Sequence, residues 1–486
     1  MTHRMVIDGE LVAATGSGTF DNVNPATEEV LGTAPDATVA DADRAVAAAR
    51  TAFDTTGWST DAAFRRECLA QLQAALRKNL ETLRGTIVAE SGSPVMLTRA
   101  TQLDGAVEYI SHYVELLDGY EFEQARPDIV SMGRTHQRVV RREAAGVVTA
   151  ITPWNYPFYL NIAKVSAALA AGCTVILKPA PDTPWSATEI GRIAAEETDI
   201  PPGVLNVVTT ADTAVAERLV THPDVDAVTF TGSTATGRRI MAAAASTIKR
   251  VTLELGGKSA AVLLDDADFS AVIPGVAGAV CSHAGQGCAL TTRLLVPRSR
   301  QAEAVAIAKA TMEQIPWGDP QDPANLMGPV INARQRDSVL RYVEQGAQDG
   351  RLVLGAGRSG RFEKGYFVEP TLITDVPRDA SVAQEEIFGP VLVVQTFDDD
   401  EDALRLADST IYGLSGAVFS ADVDRAMALA RRMRTGTVGV NGGQWFDPGS
   451  PFGGYKQSGL GREWGTEGLE DFLEVKTIAR PTPERN

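Results

Sequence analysis

From Gly146 onward the chain alternates regularly between short apolar runs and amphipathic stretches. Val147-Val148-Thr149-Ala150-Ile151 predicts a strand, and Pro157 opens a helix with proline in its first turn. The same pattern predicts strands over 174–177, 204–208, 226–230 and 250–255, with helices over 185–196, 211–220 and 234–245 between them. Strand–helix alternation of this kind predicts a parallel, doubly wound sheet.

The first third reads differently, as a short strand-rich start followed by helices. Thr38 and Asp41 mark a helix start before an alanine-rich run to Phe53, and 61–90 and 99–117 carry helical periodicity. Residues 130–143 are polar and basic with some alternation, which predicts an exposed extended arm. The tail 472–478 alternates enough to be a strand and to pair with that arm. After Glu254 a second alternating region begins, with strands near 293–296, 352–354, 391–395, 415–419 and 437–440 and a glycine-rich loop over 441–461. No internal repeat or low-complexity tract is evident.

Composition narrows the function. A chain of 486 residues, 44% hydrophobic and 22% charged, forms two or three domains with sizeable cores. Its net charge of −17 argues against a nucleic-acid or anionic-membrane surface. No apolar stretch is long enough to span a membrane, and 1–10 lacks the apolar core of an export signal. Four cysteines are too few for a disulfide framework, so a reducing, cytoplasmic setting is expected. With no CxxC spacing and five scattered histidines, no metal site is expected.

Asn155, Lys178, Thr231-Gly232-Ser233 and Glu254 each fall at or just after the end of a different predicted strand. Open parallel sheets bind ligands beyond the carboxyl ends of their strands, so these residues mark a site. Cys288, in Gly285-Gln286-Gly287-Cys288-Ala289-Leu290, has small neighbours that leave a thiol accessible. A sulfur nucleophile, a carboxylate base and an amide donor are the parts of covalent acyl chemistry. Each also has a plainer reading. Glu254 between two leucines is either a base whose pKa burial raises or a carboxylate paired with an unseen cation. Ser233 caps a helix, and the same helix start suits a pyrophosphate. Lys178 is a surface lysine or a ribose ligand, and Glu385-Glu386 an exposed pair or a functional one. Cys68, Cys173 and Cys281 read as small buried hydrophobes. Two motifs are set aside. Gly355-Ala356-Gly357-Arg358-Ser359-Gly360 matches GxGxxG but is followed by Tyr366 and Pro370 rather than a helix, so it predicts a turn. Gly257-Lys258-Ser259 lacks the P-loop's first glycine, since Thr252 stands there.

Taken together, the chain resembles the aldehyde dehydrogenase superfamily, its hydrolytic, non-acylating branch, over nearly its whole length. The resemblance rests on Pro153-Trp154-Asn155-Tyr156-Pro157, Lys178-Pro179, Phe230-Thr231-Gly232-Ser233, Leu253-Glu254-Leu255-Gly256-Gly257-Lys258 and Gly285-Gln286-Gly287-Cys288. It extends to Met327-Gly328-Pro329, Glu386-Ile387-Phe388-Gly389-Pro390 and Pro451-Phe452-Gly453-Gly454-Tyr455-Lys456. It implies an α/β fold with a Rossmann-like doubly wound cofactor domain (1–124 and 145–256), an α/β catalytic domain (257–460) and a small β oligomerisation arm (125–144 and 470–486). It implies NAD(P)-dependent oxidation of an aldehyde, with Cys288 as nucleophile, Asn155 and the Cys288 N–H holding the oxyanion, Glu254 activating water, and Glu463 relaying protons. Glu386 and Phe388 would serve the nicotinamide end of the cofactor, Lys178 the adenine ribose, Gly232 and Ser233 the pyrophosphate, with Trp154 beside them. A homodimer or homotetramer is implied as well.

One departure concerns the cofactor. Where many NAD-specific relatives carry a glutamate, this chain has Pro181 followed by Asp182. Nothing at Pro181 repels a 2′-phosphate, yet no added basic residue invites one; NAD is expected, with NADP tolerance open. By the same resemblance Tyr156, Leu160, Ala163, Ser282, Ala289, Trp445 and Phe446 line the substrate tunnel. That wall is aromatic and aliphatic with no arginine to pair a second carboxylate, so a hydrophobic aldehyde is expected. Three rival readings are a CoA-acylating relative, a nitrilase-like amidase using Cys288, Glu254 and Lys178, and a silent binding protein. The retained Glu254 argues against the first, the chain order against the second, and the complete residue set against the third.

Overall fold

A computed structural model describes residues 3–355, 357 and 360–482. The turn expected over 355–360 therefore lies partly outside the described residues. The first long helix, Val39–Thr55, opens on a complete capping box: Thr38 accepts from the Asp41 N–H, and Asp41 accepts from the Thr38 N–H. Such a cap stabilises by about 1 kcal/mol. The periodic stretch 61–90 divides into helices Ala62–Lys78 and Leu80–Ser91 at Asn79, whose amide turns back to the Ala75 carbonyl at 2.8 Å. The helix expected from 99 begins later, at Asp104.

Among the described residues the cofactor half is an eight-stranded sheet. Its parallel centre runs Arg250–Glu254, Ala227–Thr231, Val147–Ile151, Thr174–Lys178, Leu205–Val207. Read outward from Val147–Ile151, the chain winds one way through 174–178 and 205–207, then returns to the other side for 227–231 and 250–254. The order thus reverses between Val147–Ile151 and Ala227–Thr231, which creates the crevice where a doubly wound sheet takes its ligand. Helix Pro157–Ala171 covers one face and is buried at every position.

The second half is a seven-stranded sheet, parallel except for its edge strand Arg351–Leu354. Two of its strands, Ala260–Leu263 and Thr371–Thr374, escape the sequence reading. Each has four residues, all buried, too few and too uniform for a period-two signal. The glycine-rich loop also returns to the first sheet, where Gly459 pairs with Glu254 and Leu460 with Leu253. Cys288 lies just ahead of strand Arg293–Pro297, so the carboxyl edge of one sheet faces the start of a strand in the other.

The arm is a three-stranded antiparallel sheet of Glu123–Ser131, Arg134–Ala144 and Leu473–Pro481. The tail strand pairs with the arm as the alternation predicts, Leu473 opposite Ala144 and Ile478 opposite Val139. No described helix is long and apolar enough to cross a membrane.

Candidate active site

The crevice opens into a cleft of about 860 Å³ that contains Trp154, Asn155, Lys178, Gly232, Ser233, Glu254, Cys288, Glu386 and Phe388 together. Residues spread over 235 positions of chain are brought to one wall because each follows a strand or closes the turn opposite.

The nucleophile is presented by an unusual turn. His283, Ala284 and Gly285 take left-handed φ of 50°, 53° and 72° in succession. A Cβ on Gly285 would lie 2.0 Å from the Gly389 carbonyl oxygen, so glycine is required there. The buried Gln286 side chain fixes the turn, accepting from the Ile331 N–H at 2.9 Å and donating to the His283 carbonyl at 3.0 Å. Asn155 is 3% exposed, and its Nδ2 donates to the Gln286 carbonyl at 2.9 Å, next to the sulfur. Cys288 itself is half-buried, whereas Cys68, Cys173 and Cys281 are buried, as expected of inert thiols.

Charge is the dominant feature. Glu254 is 1% exposed and neither carboxyl oxygen has a hydrogen-bond partner of normal geometry, so the paired-carboxylate reading falls away. Burial, then the neighbouring Glu463, pushes its pKa up to about 8, while contact with the Cys288 thiol pulls the other way. Burial, then Glu254, also raises the Cys288 thiol well above its ordinary value. Glu386, whose Oε1 accepts from the Gly257 N–H at 2.9 Å, is raised to about 7 by burial. Glu463 is held by an ion pair with buried Lys164 and by Thr231 at 3.4 Å, leaving Oε2 unpaired. Three carboxyls around one thiol make a site that favours a cation.

The other cleft residues fit a dinucleotide. Lys178 is 8% exposed, its ammonium makes no hydrogen bond or ion pair among the described residues, and burial lowers its pKa to about 8. Ser233 caps helix Thr234–Ala244, accepting from the Thr236 N–H at 3.2 Å, and leaves that helix start facing the cleft. Trp154 and Phe388 meet edge to face at 5.3 Å, Phe388 with a left-handed φ of 55°. A Cβ on Gly256 would sit 2.2 Å from Glu386 Oε2, so the carboxylate lies directly on that backbone. Asp182 accepts from Asn332 at 2.8 Å and lines a neighbouring cavity that shares Pro181 and Ala211 with the cleft, near enough for its charge to act on Lys178.

On the other side of Cys288 the residues expected to form the substrate wall gather around one core cluster. Tyr156 packs edge-on against His283 at 5.5 Å, and Ala289, Trp445 and Phe446 lie against the same core cluster as Cys288. Leu160 and Ala163 are almost wholly buried within that cluster, and Ser282 is half-buried at the end of helix Phe269–Cys281. Tyr109, Tyr159, Phe452 and Trp464 pack closely here with Trp445 and Phe446, beside Asp447 and Ser450. The Trp464 Nε1–H donates to the Tyr159 hydroxyl, and Tyr109 meets Trp464 edge-on at 5.4 Å. The sequence reading does not single out these four, although Tyr159 stands three positions after Tyr156, the N-cap of the same helix.

A dinucleotide crevice beside a thiol, a buried carboxyl and a side-chain amide defines a cofactor-dependent enzyme of covalent type. The aldehyde dehydrogenase family model matches residues 11–478, and the chain belongs to that oxidoreductase family. It is 41% identical to the 3-succinoylsemialdehyde-pyridine dehydrogenase of a Pseudomonas species and 40% identical to the geranial dehydrogenase of Castellaniella defragrans, over 97% of each chain in both cases. Among solved structures it is similar to an aldehyde dehydrogenase C variant of Pseudomonas syringae in complex with NAD+ and octanal. There the identity is 39%, the TM-score 0.93, and the match covers 98% of this chain and 96% of that one. A Mycobacterium tuberculosis aldehyde dehydrogenase complexed with NAD+ gives 40% identity and a TM-score of 0.94 over 98% of both chains. Family membership removes the amidase reading.

Proposed function

We propose that this protein oxidises a hydrophobic aldehyde to its carboxylic acid with NAD, through a thiohemiacetal and then a thioester on Cys288, hydrolysed with Glu254 as general base. The observation that carries it is the placement of thiol, unpaired carboxyl and amide at the mouth of the switch-point cleft. The Cys288 thiol gives its proton to solvent, and the sulfur forms a bond to the carbonyl carbon. The carbonyl π pair moves to oxygen, where the Asn155 amide, released from the Gln286 carbonyl, and the Cys288 N–H hold it. As the oxyanion collapses, the C–H bond breaks and its electron pair leaves as hydride. Lys178, Ser233, Glu386 and Phe388 would hold NAD, which would supply the hydride acceptor and a ring cation suited to the surrounding carboxyls. Glu254, having released its proton through Glu463 and Lys164 toward solvent, then takes one from water. The hydroxide adds to the thioester, the C–S bond breaks, and the acid leaves with the thiol restored.

An aromatic cluster without an arginine on the far side of Cys288 supports an alkyl or aromatic aldehyde as substrate. Pro181 itself does not reject a 2′-phosphate, but the carboxylate of the next residue, Asp182, acts on Lys178, so NADP is accepted more weakly than NAD. Residues 1–124 with 145–256, 257–460, and 125–144 with 470–486 serve as cofactor domain, catalytic domain and arm. The arm's exposed Val130, Val475 and Ile478 support a homodimer or homotetramer. Four unpaired thiols suit a reducing cytoplasm.

The test is NAD(P)H formation at 340 nm with octanal, benzaldehyde and succinic semialdehyde. The expected result is a higher kcat/KM for octanal or benzaldehyde, with Cys288→Ala slower by about 10⁴-fold or more. A preference for the semialdehyde acid overturns the substrate reading; full activity in Cys288→Ala overturns the mechanism.

A further inference from the structure

The backbone carbonyl of Asn155 receives two hydrogen bonds from distant elements. Gln102 Nε2, ahead of helix Asp104–Gly119, donates at 3.2 Å, and the His283 Nε2 lies at 2.7 Å. A carbonyl only accepts, so this imidazole carries its proton on Nε2. His283 is fully buried, and its Nδ1 has no partner among the described residues. Burial lowers its pKa to about 4, in keeping with a neutral ring. Tyr156, next to Asn155, fixes the ring plane by its edge-on contact at 5.5 Å.

His283 also belongs to the turn that presents the nucleophile. Its carbonyl receives the Gln286 side chain, and the Gln286 carbonyl receives the Asn155 amide. The imidazole thus closes a circuit from the backbone of Asn155 through the nucleophile turn to the side chain of Asn155. His283 holds this position with φ of 50°, a conformation uncommon for a residue with a Cβ. Filling a core does not require that backbone or an unpaired buried nitrogen.

We propose that His283 is a positioning residue: by donating Nε2–H to the Asn155 carbonyl it fixes the oxyanion-binding amide relative to the Cys288 sulfur. This rests on the reading of Asn155 as the oxyanion donor. Glutamine at 283 places an N–H about where the imidazole Nε2 stands. Methionine has a similar length but no donor, and asparagine tolerates the left-handed backbone but its amide falls short.

The experiment is the pre-steady-state NADH burst with octanal and saturating NAD, in folded protein as judged by Tm. Asn155→Ala is expected to slow the burst by about 10²–10³-fold. His283→Met is expected to slow it roughly 10–100-fold with octanal KM little changed, and His283→Gln to stay close to wild type. In the Asn155→Ala background His283→Met should add almost nothing, because it acts through that amide. A wild-type burst in His283→Met, or a loss that persists in full in the Asn155→Ala background, overturns the proposal. If His283→Met does not fold, His283→Asn is read in its place against the same two outcomes. A wild-type burst in Asn155→Ala overturns the oxyanion reading and this inference with it.

Discussion

The two sides of Cys288 are built on different plans. The cofactor side is a cleft of about 860 Å³ formed by strand ends, helix starts and one facing turn. The aldehyde side is a closely packed cluster of aromatic side chains from helix Asp104–Gly119, helix Pro157–Ala171, the loop 444–452 and Trp464. The first must meet a polar ligand with backbone and fixed charge, so it demands particular residues at particular turns. The second need only be apolar and shaped, and many residues satisfy it. One is written as motifs, the other as packing.

The contrast can be broken first at the shared centre. Glu254→Gln is expected to keep the hydride-transfer burst and lose about 10²–10⁴-fold in steady turnover, measured by stopped-flow against steady-state rates. A variant that turns over normally would remove Glu254 from hydrolysis and reopen the CoA-acylating reading. The same variant has a stability signature. Glu254 is raised in the fold to about 8 from 4.5, so its folded form holds a proton that the unfolded chain gives up. That contribution is fully present below about pH 4.5 and is lost as pH rises through 8, at up to about 1.4 kcal/mol per pH unit. Thermal unfolding should therefore show Glu254→Gln gaining on wild type between pH 5 and pH 9; parallel curves would contradict the raised pKa.

Gly256→Ala tests the cofactor side alone. Its Cβ would displace the Glu386 carboxylate, and a roughly tenfold weaker NAD Kd is expected by calorimetry, about 1.4 kcal/mol, with little change in octanal KM. Tyr109→Ala tests the other side. It should raise octanal KM several-fold, within the 1–3 kcal/mol typical of an apolar pocket contact, and leave NAD binding unchanged. If either variant moves both constants together, the two sides are coupled and the comparison fails. The smallest effect belongs to Trp464→Phe, which removes the N–H donated to Tyr159 and should cost about 1 kcal/mol in unfolding free energy.

The site's legibility follows this division. Asn155, Lys178, Ser233 and Glu254 could be placed before any coordinates because strand ends are visible as breaks in alternation, and polar residues there stand out. Glu386 and Phe388 gained meaning only from the family resemblance, since Glu385 beside them looks equally good in sequence. Tyr109, Tyr159, Phe452 and Trp464 stayed hidden because an aromatic residue on an amphipathic helix or in a glycine-rich loop reads as ordinary core. Leu160 and Ala163 sit in the core cluster against which Tyr156, Cys288, Trp445 and Phe446 pack, a depth that no spacing rule conveys.

By itself the sequence determined the alternation, the reversal of strand order implied by a doubly wound sheet, the family, and the chemical parts at the strand ends. These are local or periodic properties, written in consecutive residues. Tertiary structure alone decided which carboxyl is unpaired, where Asp182 points, and that His283, 128 positions from Asn155, meets its carbonyl. Those facts depend on distances across chain separations that leave no period behind, and on burial, which sets charge only once the surrounding atoms are in place.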